Sequence, residues 1–270
     1  MEKLFFGSIQ SEDVKIHYSR TSQGFPPVVM LHGLFDNGLC FGRLAYSFYT
    51  MYDVILPDAR GHGLSDAPGH GYDLHTFAGD VRQLVASLAL DQPIVLGHSM
   101  GAAAAARFAA EYPESIRALI LIDPPWVEPG SAGVDFERHQ EMFLERMRLF
   151  RPMSFAEVET VGRQEHPSWH ADDLDQWCKA KSQAKEESVT VIRSIAEAWL
   201  PVADKIQCKT LVLTGDPEKG ALISSGTAAL LKERYPNWTV VRIPEAGHNV
   251  QRDAFEQSKN QILDFLRTLD

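Results

Sequence analysis

Residues 93–106 read PIVLGHSMGAAAAA and predict a buried strand, a tight turn and a helix in immediate succession. Residues 97–101 form the pattern G-x-S-x-G, which is typical of a serine held on a strained turn with its hydroxyl exposed at the edge of a sheet. Side chains at Gly97 and Gly101 would clash with the crossing strand and helix backbones, and glycine avoids that clash. We therefore predict that Ser99 is a catalytic nucleophile.

The rest of the chain alternates apolar strands with helical stretches, which indicates parallel βαβ units and an α/β architecture. Continuous apolar runs are expected where both faces of a sheet are buried. The predicted strands lie at about residues 4–9, 14–19, 27–31, 54–56, 93–96, 118–122, 210–214 and 238–243.

Residues of about 127–200 interrupt this alternation with helical stretches at about 135–149, 154–165, 171–184 and 188–199. Ser154 followed by Glu157 fits a capping box at the start of one of them. We therefore predict a helical insertion at residues 127–200, between the sixth and seventh strands, and a core domain built from residues 1–126 and 201–270.

A nucleophilic serine needs a base that takes its proton and an acid that orients the base. His248 is the predicted base, because it follows the last strand at the sheet edge where active sites gather. For the acid we favour Asp216 over Glu218, both of which follow the seventh strand. Asp123, at the end of the sixth strand, is a third candidate.

The developing oxyanion also needs hydrogen-bond donors. The backbone N–H groups of Leu34, after the third strand, and Met100, at the start of a helix, are the predicted donors. His32 is expected to brace that loop rather than to act as the base.

The expected substrate pocket is apolar. Phe35 and His98, which flank the oxyanion turn and the serine, and Trp126, beside the insertion, are predicted to line it.

Composition limits the class of protein. The 270 residues carry a net charge of −10, which argues against a nucleic-acid partner. The three cysteines show no C-x-x-C spacing, and the histidines show no metal-ligand spacing, so we predict no disulfide and no metal. No G-x-G-x-x-G follows a predicted strand, so we predict no dinucleotide cofactor. Because no apolar run has the length of a signal peptide or membrane span, we predict a cytoplasmic protein that does not bind membranes. The sequence does not determine the oligomeric state.

Four motifs resemble the α/β-hydrolase superfamily, in its cap-bearing esterase, epoxide-hydrolase and C–C-hydrolase branch. They are His32-Gly33, residues 97–101, Gly247-His248 and the DARGHGLS sequence of residues 58–65. The resemblance implies an eight-stranded, mostly parallel sheet with a helical cap, and it makes residues 58–65 a structural loop. This chain departs from the family at the acid, because the place three residues after the glycine that ends the seventh strand holds Glu218.

Serine, where epoxide hydrolases of this branch carry aspartate, favours attack on a carbonyl group. We predict a cofactor-free serine hydrolase that cleaves a carboxylic ester of a small or medium apolar substrate through an acyl-enzyme on Ser99. One alternative is a lactonase, or a C–C hydrolase of ring-cleavage diketones, with the same triad. Another is a small-molecule receptor that turns over little.

Overall fold

The computed structural model describes residues 4–127, 135–195 and 198–269. In these ranges one eight-stranded sheet runs in the order β1-β2-β4-β3-β5-β6-β7-β8. Strand β2 pairs antiparallel with β1 and β4, and all other pairs are parallel. The strands span Phe5–Ser11, Val14–Arg20, Pro27–Leu31, Asp53–Pro57, Ile94–His98, Ala118–Ile122, Lys209–Thr214 and Trp238–Arg242.

Helices cover both faces of this sheet. Successive strand residues point to opposite faces, so Val95 joins the apolar layer of Phe108, whereas Leu96 joins that of Phe265. The helices of the core are α1 Gly42–Tyr46, α2 Leu74–Ser87, α3 Met100–Glu111, α8 Leu200–Ala203, α9 Ser225–Arg234, α10 Val250–Asp253 and α11 Phe255–Arg267.

Among the described residues, four further helices lie between β6 and α8, where the insertion was predicted. They are α4 Phe136–Phe150, α5 Phe155–Glu165, α6 Ala171–Gln183 and α7 Val191–Ile195. Of the predicted helix at about 188–199, residues 188–190 belong to a 3₁₀ turn, Glu186–Thr190, and residues 191–195 form α7. Residues 196 and 197 lie outside the described residues. The predicted capping box at Ser154 and Glu157 opens α5.

The insertion has a small apolar core of its own, which includes Phe150 and Trp177. A second apolar cluster joins Met147 of α4 to Phe35, in the loop after β3. The helices therefore pack against the carboxyl edge of the sheet. The predicted α/β fold, with its mostly parallel sheet and inserted helices, is confirmed, while the domain boundaries stay a prediction.

The turn after β5 leaves no room for side chains at its two glycines. A Cβ atom on Gly97 would lie 2.2 Å from the carbonyl oxygen of Gly101, and one on Gly101 would lie 2.1 Å from that of Leu31. Close contact of the α3 backbone with β3 and β5 therefore depends on both glycines.

We predict that Gly101→Ala lowers the free energy of unfolding by about 1–3 kcal/mol, because strand or helix backbone must move. Gly79→Ala is the matched control, since a Cβ atom there meets nothing within 4 Å and Gly79 lies inside α2. That variant should gain about 0.5–1 kcal/mol from helix propensity. Urea unfolding of both variants measures the difference, and wild-type stability in Gly101→Ala would contradict the packing argument.

Candidate active site

Ser99 lies on a strained turn between β5 and α3. Its backbone angles, φ 53° and ψ −117°, are ones that a non-glycine residue rarely adopts. The N–H of Ser99 donates to the carbonyl oxygen of Ile122 at 3.0 Å, and Ala103 N–H donates to the Ser99 carbonyl at the same distance. These bonds fix the turn, and Ser99 lies half-buried at the carboxyl edge of the sheet.

His248 lies in the loop after β8 and lines the same cavity as Ser99. Its Nδ1 is 2.6 Å from Oδ2 of Asp123, and 28% of its side chain is exposed. The ring of His98 stacks at a tilt on that of His248, with 4.8 Å between centroids. His98 Nε2 also lies 3.0 Å from the His248 carbonyl oxygen, which ties the histidine loop to β5.

Asp123 is fully buried directly after β6, and donors surround its carboxylate. Oδ1 accepts from the Thr214 hydroxyl at 3.0 Å and from Ile223 N–H at 3.3 Å. Oδ2 accepts from Leu222 N–H at 2.8 Å and pairs with His248. A carboxylate with this many donors is held in one orientation and stays compatible with burial.

The prediction that Asp216 or Glu218 partners His248 is therefore wrong. Asp216 Oδ1 instead accepts from Glu218 N–H at 3.2 Å and caps the 3₁₀ turn Pro217–Lys219, and Glu218 is exposed. The loop after β7 contributes backbone N–H groups to the site and no carboxylate. The signal for Asp123 was its place at the end of β6, between β5 and β7 in the sheet.

The loop after β3 presents the predicted donor Leu34. His32 Nε2 accepts from Ala59 N–H at 3.0 Å, so its Nδ1 carries the proton and donates to the Gly33 carbonyl at 2.8 Å. The Gly33 carbonyl and the Leu34 N–H belong to one trans peptide and point in opposite directions. Burial lowers the pKa of His32, which keeps the ring neutral in this bracing position.

Within the described ranges, no acceptor takes the backbone N–H of Leu34 or of Met100, the first residue of α3. Leu34 lies beside Ser99 in the cavity wall, and Met100 follows the serine in sequence. Free N–H groups at such places are what an oxyanion site requires. Their role as oxyanion donors stays a prediction.

The cavity beside Ser99 has a volume of about 200 Å³. Of the residues predicted to line the pocket, Phe35 and His98 do so. Trp126 does not, because it is buried in the core and stacks on Trp199 with 4.8 Å between ring centroids. The wall also contains residues that the sequence did not single out as pocket residues, namely Asp36, Arg146, His166, Lys181 and Asn249.

Charged groups make this wall less apolar than predicted. Arg252 binds Asp36 at 2.5 Å, and Lys181 lies 3.6 Å from the same carboxylate. Burial alone would raise the pKa of Asp36, but Arg252 and Lys181 hold that pKa below its usual value. The three side chains join the loop after β3, α6 of the insertion and α10.

In the part of the chain that the structure describes, no group of three or more His, Cys, Asp and Glu residues is arranged to hold a metal ion. No described helix combines the length and apolarity that crossing a membrane requires.

Known proteins with a related sequence or fold bear on this site. The sequence profile described as the alpha/beta hydrolase fold matches residues 26–151. A 2-(acetamidomethylene)succinate hydrolase from Mesorhizobium japonicum is 26% identical over 252 residues, which cover 89% of this chain and 88% of the relative.

Solved structures agree in fold. A crystal structure of E-2-(acetamidomethylene)succinate hydrolase matches 98% of this chain and 100% of its own, with a TM-score of 0.86 and 23% identity. An esterase from Exiguobacterium antarcticum matches 96% of this chain and 98% of its own, with a TM-score of 0.79 and 23% identity.

The serine turn, the sheet order and these matches lead to one fold. The chain has the α/β-hydrolase fold. The profile match and the relatives support the resemblance read from the sequence motifs, and the relatives' names support the predicted hydrolase class.

The Asp123 contacts predict the tautomer of His248. Because Asp123 accepts at every position, the neutral ring should carry its proton on Nδ1, and Asp123→Asn should disturb this state by placing an amide N–H₂ against existing donors. Asp216→Asn is the matched control and should leave the ring unchanged. ¹⁵N NMR of the His248 ring distinguishes the tautomers, and an equal response to both substitutions would contradict the assignment.

Proposed function

We propose that the protein is a serine hydrolase that cleaves a carboxylic ester through an acyl-enzyme on Ser99. The observation that carries the proposal is the Asp123–His248 hydrogen bond of 2.6 Å at the cavity that Ser99 also lines. A serine, a buried carboxylate and an imidazole, in this order along the chain and along the carboxyl edge of the sheet, are the parts of a catalytic triad.

In the proposed reaction, His248 Nε2 takes the proton of the Ser99 hydroxyl as Oγ attacks the ester carbonyl carbon. The N–H groups of Leu34 and Met100 donate to the oxyanion. Collapse expels the alcohol, which receives the proton from His248. Water then attacks the acyl-enzyme, again with His248 as base, and releases the acid and free Ser99. Asp123 stabilises the imidazolium at each step.

The substrate class follows from the nucleophile and the cavity. Serine at position 99 supports attack on a carbonyl carbon, and a volume of about 200 Å³ suits a small substrate. The Mesorhizobium relative is named as a 2-(acetamidomethylene)succinate hydrolase, and a similar fold belongs to an esterase. The charged wall favours a small polar ester over the apolar one expected from the sequence.

Removal of the nucleophile tests the proposal directly. We predict that Ser99→Ala loses turnover of 4-nitrophenyl acetate by roughly 10⁶-fold, while circular dichroism and the unfolding midpoint stay close to wild type. Mass spectrometry of quenched wild-type protein should find an acetyl group on Ser99. Full activity in Ser99→Ala, or acylation at another residue, would contradict the mechanism.

The choice of acid makes a separate prediction. Asp123→Asn should lower kcat by roughly 10⁴-fold, because the histidine loses the group that fixes its tautomer and stabilises its charge. Asp216→Asn, which removes a carboxylate that caps a turn, should leave kcat within about twofold. Steady-state kinetics of both variants measures this difference, and the reverse order of effects would exclude Asp123 as the acid.

A further inference from the structure

The proposed reaction makes no use of a buried lysine in the cavity wall. Lys181, on α6, is only 9% exposed. Its ammonium group donates to the Phe35 carbonyl oxygen at 3.0 Å and lies 4.3 Å from the centroid of the Trp177 ring. A long charged side chain rarely reaches this degree of burial unless a partner compensates its charge.

Lys181 has unused hydrogen-bonding capacity. An ammonium group carries three N–H donors. Among the described residues, only the Phe35 carbonyl lies within hydrogen-bond distance, and the nearest carboxylate oxygen, on Asp36, lies at 3.6 Å. Because Lys181 lines the cavity, the remaining donors are available to a ligand there.

Among the described ion pairs, Lys181 has no carboxylate to itself. Asp36 already pairs with Arg252 at 2.5 Å, so these two groups and Lys181 together carry one net positive charge. Burial lowers the pKa of two histidines of the wall, His98 and His166, and so favours their neutral form. Neither histidine can offset the positive charge of Lys181.

A second cation of the wall, Arg146, is different in kind. Its guanidinium pairs with Glu165, and 39% of its side chain is exposed. Its charge is therefore compensated locally and screened by solvent, whereas that of Lys181 is buried. Lys181 is the group of this wall that gains most from an anion.

We infer that Lys181 binds a carboxylate of the substrate, so that the enzyme prefers esters whose acyl chain ends in a carboxylate. A carboxylate at this place would complete the charge balance and accept the unused N–H donors. Phe35, to which Lys181 donates, directly follows Leu34, so the carboxylate would lie a short chain away from the carbonyl that Ser99 attacks. This inference rests on the proposed function.

Two esters of similar shape test the preference. Monomethyl succinate ends in a carboxylate, and methyl 4-methylpentanoate replaces that group by an uncharged isopropyl group. Methanol release followed by ¹H NMR gives kcat/KM for each ester with the wild-type protein. We expect about 10- to 100-fold preference for monomethyl succinate, the range of a charged hydrogen bond. A ratio near one, or a preference for the neutral ester, would overturn the inference.

Matched variants assign the preference to Lys181. Lys181→Met should reduce the ratio of the two kcat/KM values by about tenfold or more, and Lys181→Arg should retain most of it. Lys179→Met is the control, because it removes the same charge from α6 at an exposed position that pairs with Asp175. An equal loss in Lys179→Met and Lys181→Met would reject a local role. If Lys181→Met does not fold, Lys181→Arg and the wild-type ratio still decide.

A binding measurement separates this inference from the proposed function. Calorimetry with Ser99→Ala protein and monomethyl succinate should detect binding that weakens about tenfold or more when Lys181→Met is added. Binding of this kind without hydrolysis of either ester by the wild type would support the carboxylate site and reject the esterase. Hydrolysis of both esters at equal rates, without such binding, would support the esterase and reject the site.

Discussion

The buried carboxylate of Asp123 is the point at which three loops of the carboxyl sheet edge meet. The residue itself follows β6, three of its donors come from β7 and the loop after it, and the fourth is His248, after β8. A buried carboxylate that lost one of these donors would leave its charge undercompensated. The hydrogen bonds to Asp123 therefore hold the loops after β6, β7 and β8 together, and the same bonds set the position and orientation of His248.

A second buried charge network connects this edge to the inserted helices. Asp36, in the loop after β3, contacts Arg252 of α10 and Lys181 of α6. Apolar contacts between Phe35 and Met147 support the same junction. The cavity is thus bounded by elements that are far apart in sequence, and each side contributes a different chemistry: the core provides Ser99 and His248, and the insertion provides cations.

Much of this arrangement was accessible from the sequence. Continuous apolar runs predicted the sheet, and the local turn chemistry of residues 97–101 predicted the place of Ser99, because both depend on neighbours in the chain. The partner of His248 was assigned wrongly, with Asp123 only the third candidate, because it depends on whether the end of β6 or the end of β7 faces the histidine. Trp126 was placed in the pocket because it is an aromatic residue beside the insertion, whereas stacking on Trp199 holds it in the core. Lys181 carried no local signal, since its burial arises from contacts with Asp36 and Phe35.

The hydrogen bond from Lys181 to the Phe35 carbonyl has a mechanical consequence for the inserted helices. The bond joins α6 to the loop after β3. In that loop Leu34, which directly precedes Phe35, has its free N–H beside Ser99. Any displacement of α6 away from β3 must break this bond and release the loop from one of its anchors. The position of α6 is therefore linked to the conformation of the loop after β3, and through this loop to the surroundings of Ser99.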